Sequence, residues 1–277
     1  YCMMSYLDYH HGIYYPKGGM NGLANEIYNI CKKYGVEFKF NEAVKKINVK
    51  GKLATKIITK NGEYKADLVI NNADYHHGET QLLEEKHQTY NSNYWKKKTM
   101  AVSMHLAYIG VKRKINSLTH HNYFFNENWN EHFDQVFKTP KWPDNPNLYV
   151  CCPSRIDKDV APENMENLFF LVPVAPDLDD SESIREAYFD KVLEKFEKET
   201  GEKIKDDIVF KSLFTHRDFK ERYNAYKGTG LGMAHTLWQT AVFRPKHKSS
   251  KVKNLYLSLI HISEPTRPRL ISYAVFC

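Results

Sequence analysis

Thirteen histidines raise the question of metal chemistry in this chain, with doublets at His10-His11, His76-His77 and His120-His121. Neighbouring side chains point apart on a strand and about 100° apart on a helix, so a doublet is a poor pair of ligands for one ion. Five cysteines stand at 2, 31, 151, 152 and 277 with no CxxC pair, and no HExxH occurs. The expectation is no metal site, surface or boundary histidines, no disulfide framework and a reducing compartment. Gly228-Thr-Gly-Leu-Gly232 suggests a phosphate-cradling loop, but its third glycine comes one position early for GxGxxG. The preceding Arg222–Lys227 is not a buried strand, so a loop over a cavity is expected instead. No GxSxG elbow and no nucleophile with an organised base is found, which leaves covalent catalysis without support.

The elements that would position these groups are legible in part. Leu23, Ile27, Ile30, Cys31 and Tyr34 lie on one helical face between Gly19 and Tyr34, closed by Gly35. Val36 to Phe40, Val44 to Val49, Ala54 to Thr59 and Ala66 to Ile70 read as strands, with a hairpin turn at Asn61-Gly62. Thr99 to Val111 alternates through Met100, Val102, Met104, Leu106 and Tyr108, the pattern of a strand packed on one face. Residues 116–147 read as irregular, with Pro140, Pro143 and Pro146 near the end. Tyr149 to Cys152 and Leu168 to Val174 read as buried strands, and Ile208 to Phe214 as another. Ser183 and Glu186 have capping-box spacing ahead of a helix carrying Ile184, Tyr188, Val192 and Phe196 and ended near Gly201.

The chain is 277 residues long, 42% hydrophobic and 26% charged, the profile of a globular protein and not of a disordered or collagenous one. Its most apolar run, Leu168 to Ala175, is far short of the roughly 20 residues that span a bilayer. The net charge of +7 is compatible with an anionic lipid surface and too diffuse to imply nucleic acid. The start at Tyr1 has the look of a cut, without a signal peptide. Leu257-Ser-Leu-Ile-His-Ile-Ser-Glu-Pro-Thr-Arg267 resembles a translated transposase adaptor from sequencing libraries, which sets residues 258–277 outside the expected fold.

Three groups of segments together resemble the bacterial-type phytoene desaturases, FAD-dependent carotenoid desaturases of the flavin amine-oxidase superfamily. They are Tyr15-Pro-Lys-Gly-Gly-Met-Asn-Gly-Leu23 with Gly35-Val-Glu-Phe and Asn41-Glu-Ala-Val-Lys-Lys-Ile47; Ala66-Asp-Leu-Val-Ile-Asn-Asn-Ala-Asp74; and Phe214 to Phe219, Tyr223 to Gly228, Leu237 to Pro245 and Val252 to Tyr256. The resemblance implies an α/β fold, a partial two-domain flavoprotein of the FAD/NAD(P)-binding Rossmann type with an α+β substrate domain. It implies a substrate-domain remnant and crossover at 1–18, part of the FAD domain at 19–75, the polyene domain at 76–220 and a return segment at 221–257. The family's glycine-rich turn for the FAD pyrophosphate would lie before Tyr1, and a glycine-rich segment along the flavin would follow Tyr256. The expectation is thus a fragment that does not hold FAD by itself.

For the whole enzyme the resemblance implies hydride removal from an allylic carbon to the flavin and proton loss from its neighbour, with no base identified and quinone or oxygen as electron acceptor. Val44 matches the position whose backbone meets the adenine, Asn72, Ala73 and Asp74 the return strand near the cofactor, and Gly18 and Gly19 the turn where the domains meet. A C40 polyene offers no hydrogen-bonding group, so a site recognises it by shape and apolar burial. Met100, Val102, Met104, Leu106, Trp238 and Phe243 are the candidate walls. A cytoplasmic enzyme drawing such a substrate from a leaflet needs peripheral membrane contact, for which Trp95 beside Lys96, Lys97 and Lys98 has the composition. Alternatives are a sibling on the same scaffold, such as a C30 or hydroxycarotenoid desaturase, a ketolase or a retinol saturase, and a flavin-free lipid-binding remnant.

Overall fold

The computed structural model describes residues 6–126 and 128–257. In chain order its helices and strands are α1 (Gly19–Lys33), β1 (Val44–Lys50), β2 (Leu53–Thr59), β3 (Glu63–Lys65), β4 (Val69–Asn71), α2 (Tyr75–Thr80), α3 (Ser92–Lys96), β5 (Ser103–Val111) and β6 (His121–Phe124). There follow α4 (Trp129–Phe137), β7 (Leu148–Cys151), β8 (Glu166–Val174), α5 (Glu182–Thr200), β9 (Ile208–Phe214), α6 (His216–Tyr223) and β10 (Leu255–Leu257). Short single-turn helices fill several of the connections.

The strands form three sheets, ordered β1-β2-β3, β10-β4 and β6-β7-β8-β5-β9. The largest is wholly antiparallel, and its two nine-residue members β5 and β8 pair over their full length from Ser103↔Val174 to Val111↔Glu166. Their alternating side chains send Ala107, Ile109, Val111, Leu168, Phe170, Val172 and Val174 to one side, where α5 lays Tyr188, Phe189, Val192, Leu193 and Phe196 against them. This is the larger core. A second core joins Ile47, Ala54 and Val69 to Tyr75, Leu82, Leu83, Trp95, Val252, Leu255 and Leu257, so residues 75–98 fold onto β1, β2, β4 and β10. The parallel β4–β10 pair, with Leu255↔Val69 and Leu257↔Asn71, is made by segments almost two hundred positions apart.

Several expectations need correction. Val36 to Phe40 forms no strand; Phe38 and Phe40 instead stack on Tyr28 of α1. The hairpin partner across Asn61-Gly62 is Glu63–Lys65, not Ala66 to Ile70, of which only Val69 and Ile70 belong to a strand, β4. Residues 116–147 contain β6 and α4 and are not simply irregular. Helix α5 starts from Ser181 and the Ser183–Glu186 spacing makes no cap; the capping box belongs to Thr215 and Asp218 at the start of α6. The proposed adaptor stretch at 258–277 lies outside the described residues.

Candidate functional site

Strand parity sets the site. Residues paired directly across a sheet share a face, so the side of the five-stranded sheet opposite α5 carries His121 and Tyr123 of β6, then Tyr149 and Cys151 of β7. It continues through Asn167, Phe169, Leu171 and Pro173 of β8, then Met104, Leu106, Tyr108 and Gly110 of β5, and ends at Phe210, Ser212 and Phe214 of β9. None of these residues is Asp, Glu, Lys or Arg. At usual strand spacings the face is about 19 Å across and about 30 Å along β5 and β8. Helix α6 covers one margin, setting Phe219 edge-on to Phe214 at 4.9 Å and Tyr223 at 6.0 Å. Elsewhere the face is open: Tyr108 is 41% and Tyr123 64% exposed. An apolar face of this size without a helix over it marks a binding surface.

The leading end of β5 is held by the glycine-rich segment 228–234. Gly230 N donates to Val102 O, Ala101 N to Gly232 O, and Met100 bridges to Met233. The Thr229 hydroxyl bonds the carbonyls of Ala101 and Val102, and the buried Ser103 hydroxyl donates to Gly228 O at 2.6 Å. Gly230 packs closely on β5: a Cβ there would meet Met104 Cε at 3.3 Å and Phe219 Cζ at 3.4 Å. Gly232 and Met233 of this segment line a cleft.

Beside it a narrow cleft is walled by Asp74, Tyr75, His76, Trp95, Met100, Tyr226, Gly232, Met233, Arg244 and Pro245. Asp74 caps α2, Oδ1 accepting from His77 N at 2.9 Å. Burial pushes its carboxyl up, opposed by bonds from backbone amides that include His77 and Tyr226. His76 stacks on Tyr226 at 3.9 Å, and burial brings its imidazole down to about 4. Arg244 donates to Gln239 O and Met233 O, tying the return segment to the cleft wall.

The structure brings some predicted residues together and separates others. Met104 and Leu106 lie on the open face, and Met100 lines the cleft, buried; Val102 is half-buried on the run into β5. Trp238 and Phe243 touch each other at 5.3 Å and are exposed, as are Leu237 and Val242. Asn72 is exposed, with half-buried Ala73 and Asp74 following β4. Gly18 and Gly19 both have positive φ ahead of α1, which carries no side-chain cap. Tyr108, Phe169, Leu171 and Tyr149 were not singled out; their shared face depends on strand register. Trp95, expected at a lipid interface, is 3% exposed and packed among Tyr75, Tyr90 and Tyr94, so the aromatic half of that contact is absent. Among the described residues, His120, His121 and Cys151 bring ligand atoms within 4.8 Å of one another. The doublet argument fails there because His120 lies just outside β6 and Cys151 pairs opposite His121.

A dinucleotide in an open α/β sheet lies at the carboxyl ends of parallel strands. That end of β4 holds Asn71, whose buried Nδ2 has no hydrogen-bond partner, followed by Asn72, Ala73 and Asp74. Val44 begins β1, the outer strand of its sheet, and is 37% exposed. These groups fit one side of a flavin-nucleotide cradle.

An α/β chain with a parallel β4–β10 pair and a separate antiparallel sheet has an architecture found among flavin oxidoreductases. Residues 1–263 match the model of the flavin containing amine oxidoreductases, and the chain belongs to that family. It is 41% identical to a carotenoid 3,4-desaturase of Haloarcula japonica over 93% of this chain and 52% of that protein. With a zeta-carotene-forming phytoene desaturase of Myxococcus xanthus it shares 30%, over 92% of this chain and 50% of the other. The chain thus spans about half the length of the curated relatives it matches. An oxidoreductase from Methanosarcina mazei has the same fold, with a TM-score of 0.58 at 15% identity, over 88% of this chain and 49% of that one.

Proposed function

We propose that this chain is part of an FAD-dependent carotenoid desaturase and that its open sheet face is the bed of the polyene. The observation that carries this reading is the uncharged platform of β6-β7-β8-β5-β9, running to the cleft below Asp74. A hydrocarbon substrate gains from every apolar contact, about 25 cal/mol per Å² buried, and is repelled by any charge it would desolvate. Desaturase names among the relatives support the same reading. When bound, FAD supplies the hydride acceptor. The chain's own part is to hold the cofactor with the backbone at Val44, the Gly18-Gly19 turn and Asn72–Asp74, and to exclude water with Leu106, Tyr108, Phe169 and Leu171. The polyene domain on this reading is the unit around the larger core, while β1, β2, β4 and β10 belong with the cofactor.

The test is Tyr108→Lys in the complete parent enzyme, expressed in cells that accumulate phytoene. Tyr108 is 41% exposed, so the substitution spares the core, yet it puts an ammonium on the platform. Coloured polyene is expected to fall at least tenfold with flavin content unchanged, from the cost of desolvating that charge. Undiminished colour would remove the face from the substrate path. Lipid contact passes, in this proposal, from Trp95 to the exposed Leu237, Trp238, Val242 and Phe243. No helix among the described residues is long and apolar enough to cross a membrane.

A further inference from the structure

At one corner of the platform, two imidazoles and a thiol converge on the seam between β6 and β7. His121 pairs directly opposite Cys151, and Cys152 N donates to His120 O at 2.8 Å, so backbone bonds fix both segments. The two rings lie 4.0 Å apart, inclined at 37°. One nitrogen of each ring and Cys151 Sγ fall within 4.8 Å of one another. Tyr149, two residues before Cys151 on the same face, places its hydroxyl 2.7 Å from His121 Nδ1 and bonds the Cys151 thiol as well. Tyr15 stands edge-on to His120 at 5.5 Å and bonds Asp157, which brings a carboxylate to the rim.

We propose that His120, His121 and Cys151 form a binding site for a thiophilic transition-metal cation of the Zn²⁺ type, three protein ligands leaving one position open. Neighbouring ligands of a tetrahedral zinc stand about 3.4–3.6 Å apart, given Zn–N near 2.0–2.1 Å and Zn–S near 2.3 Å. Closing from within 4.8 Å takes side-chain rotation and leaves the backbone in place. The donor set of imidazole and thiolate selects Zn²⁺ over Mg²⁺ or Ca²⁺, which require oxygen. Tyr149 holds the His121 ring as outer partners of metal-bound histidines do. A bound ion would fasten β6, a four-residue edge strand, to β7 and fix the corner of the platform where Tyr123 and Tyr149 meet.

The probe is Co²⁺ alone, added anaerobically to the reduced, tag-free full chain. One equivalent is expected to bind with a thiolate-to-cobalt charge-transfer band in the near ultraviolet, bleached by one equivalent of Zn²⁺. Cys151→Ser should abolish the band, His121→Ala weaken binding at least tenfold, and Tyr149→Phe weaken it about tenfold. Cys31→Ser, away from the cluster, should change nothing. Circular dichroism confirms that each variant is folded. A band that survives Cys151→Ser, or no stoichiometric binding by the folded chain, overturns the site.

Discussion

Gly228 is the point where the lining loop is fixed to the body of the protein, and replacing it with alanine tests the geometry of the cleft. Its φ of +62° lies in the left-handed region, which costs an L-residue about 1–2 kcal/mol. A Cβ there would also meet His216 O at 2.8 Å and His216 Cα at 3.0 Å, backbone atoms at the start of α6 that cannot swing aside, and His216 Cβ at 3.0 Å. Relief means moving the loop, which parts Gly228 O from the buried Ser103 hydroxyl and leaves that hydroxyl unpaired, another 1–3 kcal/mol or so. The expected loss is about 3 kcal/mol, or about 6–12 °C in Tm for a chain of this size. Gly201→Ala is the control. It has φ +72° at the end of α5 but nothing within 4 Å of its Cβ, so it should lose only about 1 kcal/mol. Urea denaturation of the two variants side by side isolates the contact. Equal losses would refute the claim that His216 and Gly228 interlock.

The remaining expectations concern protonation, a buried ion pair and the exposed apolar cluster. His105, enclosed by Trp142 and Tyr188, is brought by burial from 6.5 to about 4, as is His76. The unfolded chain takes up these protons first, so stability is full above about pH 6.5 and falls as pH drops toward 4, by about 3 kcal/mol per fully shifted group. His105→Leu should flatten the pH dependence of urea midpoints over that window; an unchanged slope would exclude His105 as a source. Arg185 and Asp180 form an almost wholly buried pair, and Arg185 also reaches Asp218 while Asp180 accepts from Thr215 and Arg217 N. Arg185→Ala should cost about 3–5 kcal/mol by stranding Asp180, measured in the same denaturation, and a loss under 1 kcal/mol would show the pair to be dispensable. Trp238→Ser should reduce co-sedimentation with anionic vesicles about tenfold, because an indole brings 150–250 Å² of apolar area to an interface. Unchanged sedimentation would take the cluster off the membrane.

The sequence made local features legible and left pairings obscure. Helix α1 was readable from Leu23, Ile27 and Ile30, β5 from its apolar alternation, and β7, β8 and β9 as short apolar runs, because each pattern is short-range. None of the α1 stripe is nevertheless buried within the described chain, where the helix buries only Gly19, which periodicity alone does not foretell. Strand β6 was hidden among Asn, His and aromatic residues because it is a short edge strand whose partner lies beyond α4. The same distance hid the His121–Cys151 meeting: neither residue has a CxxC or HExxH neighbour, and only register opposes them. Trp95 misled because adjacent lysines suggested an interface, whereas its ring is buried beneath Tyr90 and Tyr94.

The platform itself explains why its residues were hard to assign. Phe169 and Leu171 alternate with Leu168, Phe170 and Val172, so β8 is apolar on both faces and reads as a strand with a layer on each side. In the structure only one side has its layer, α5, and there the residues are fully buried. The other side stays half-exposed at Phe169 and Leu171, beside an exposed Tyr108 on β5. An antiparallel sheet facing water ordinarily alternates to polar residues; here the face carries only His121, Asn167 and Ser212 among apolar and aromatic neighbours, and no formal charge. Packing within the chain accounts for half of that apolar content. The other half is uncovered among the described residues, and in the function proposed here a polyene lies over it.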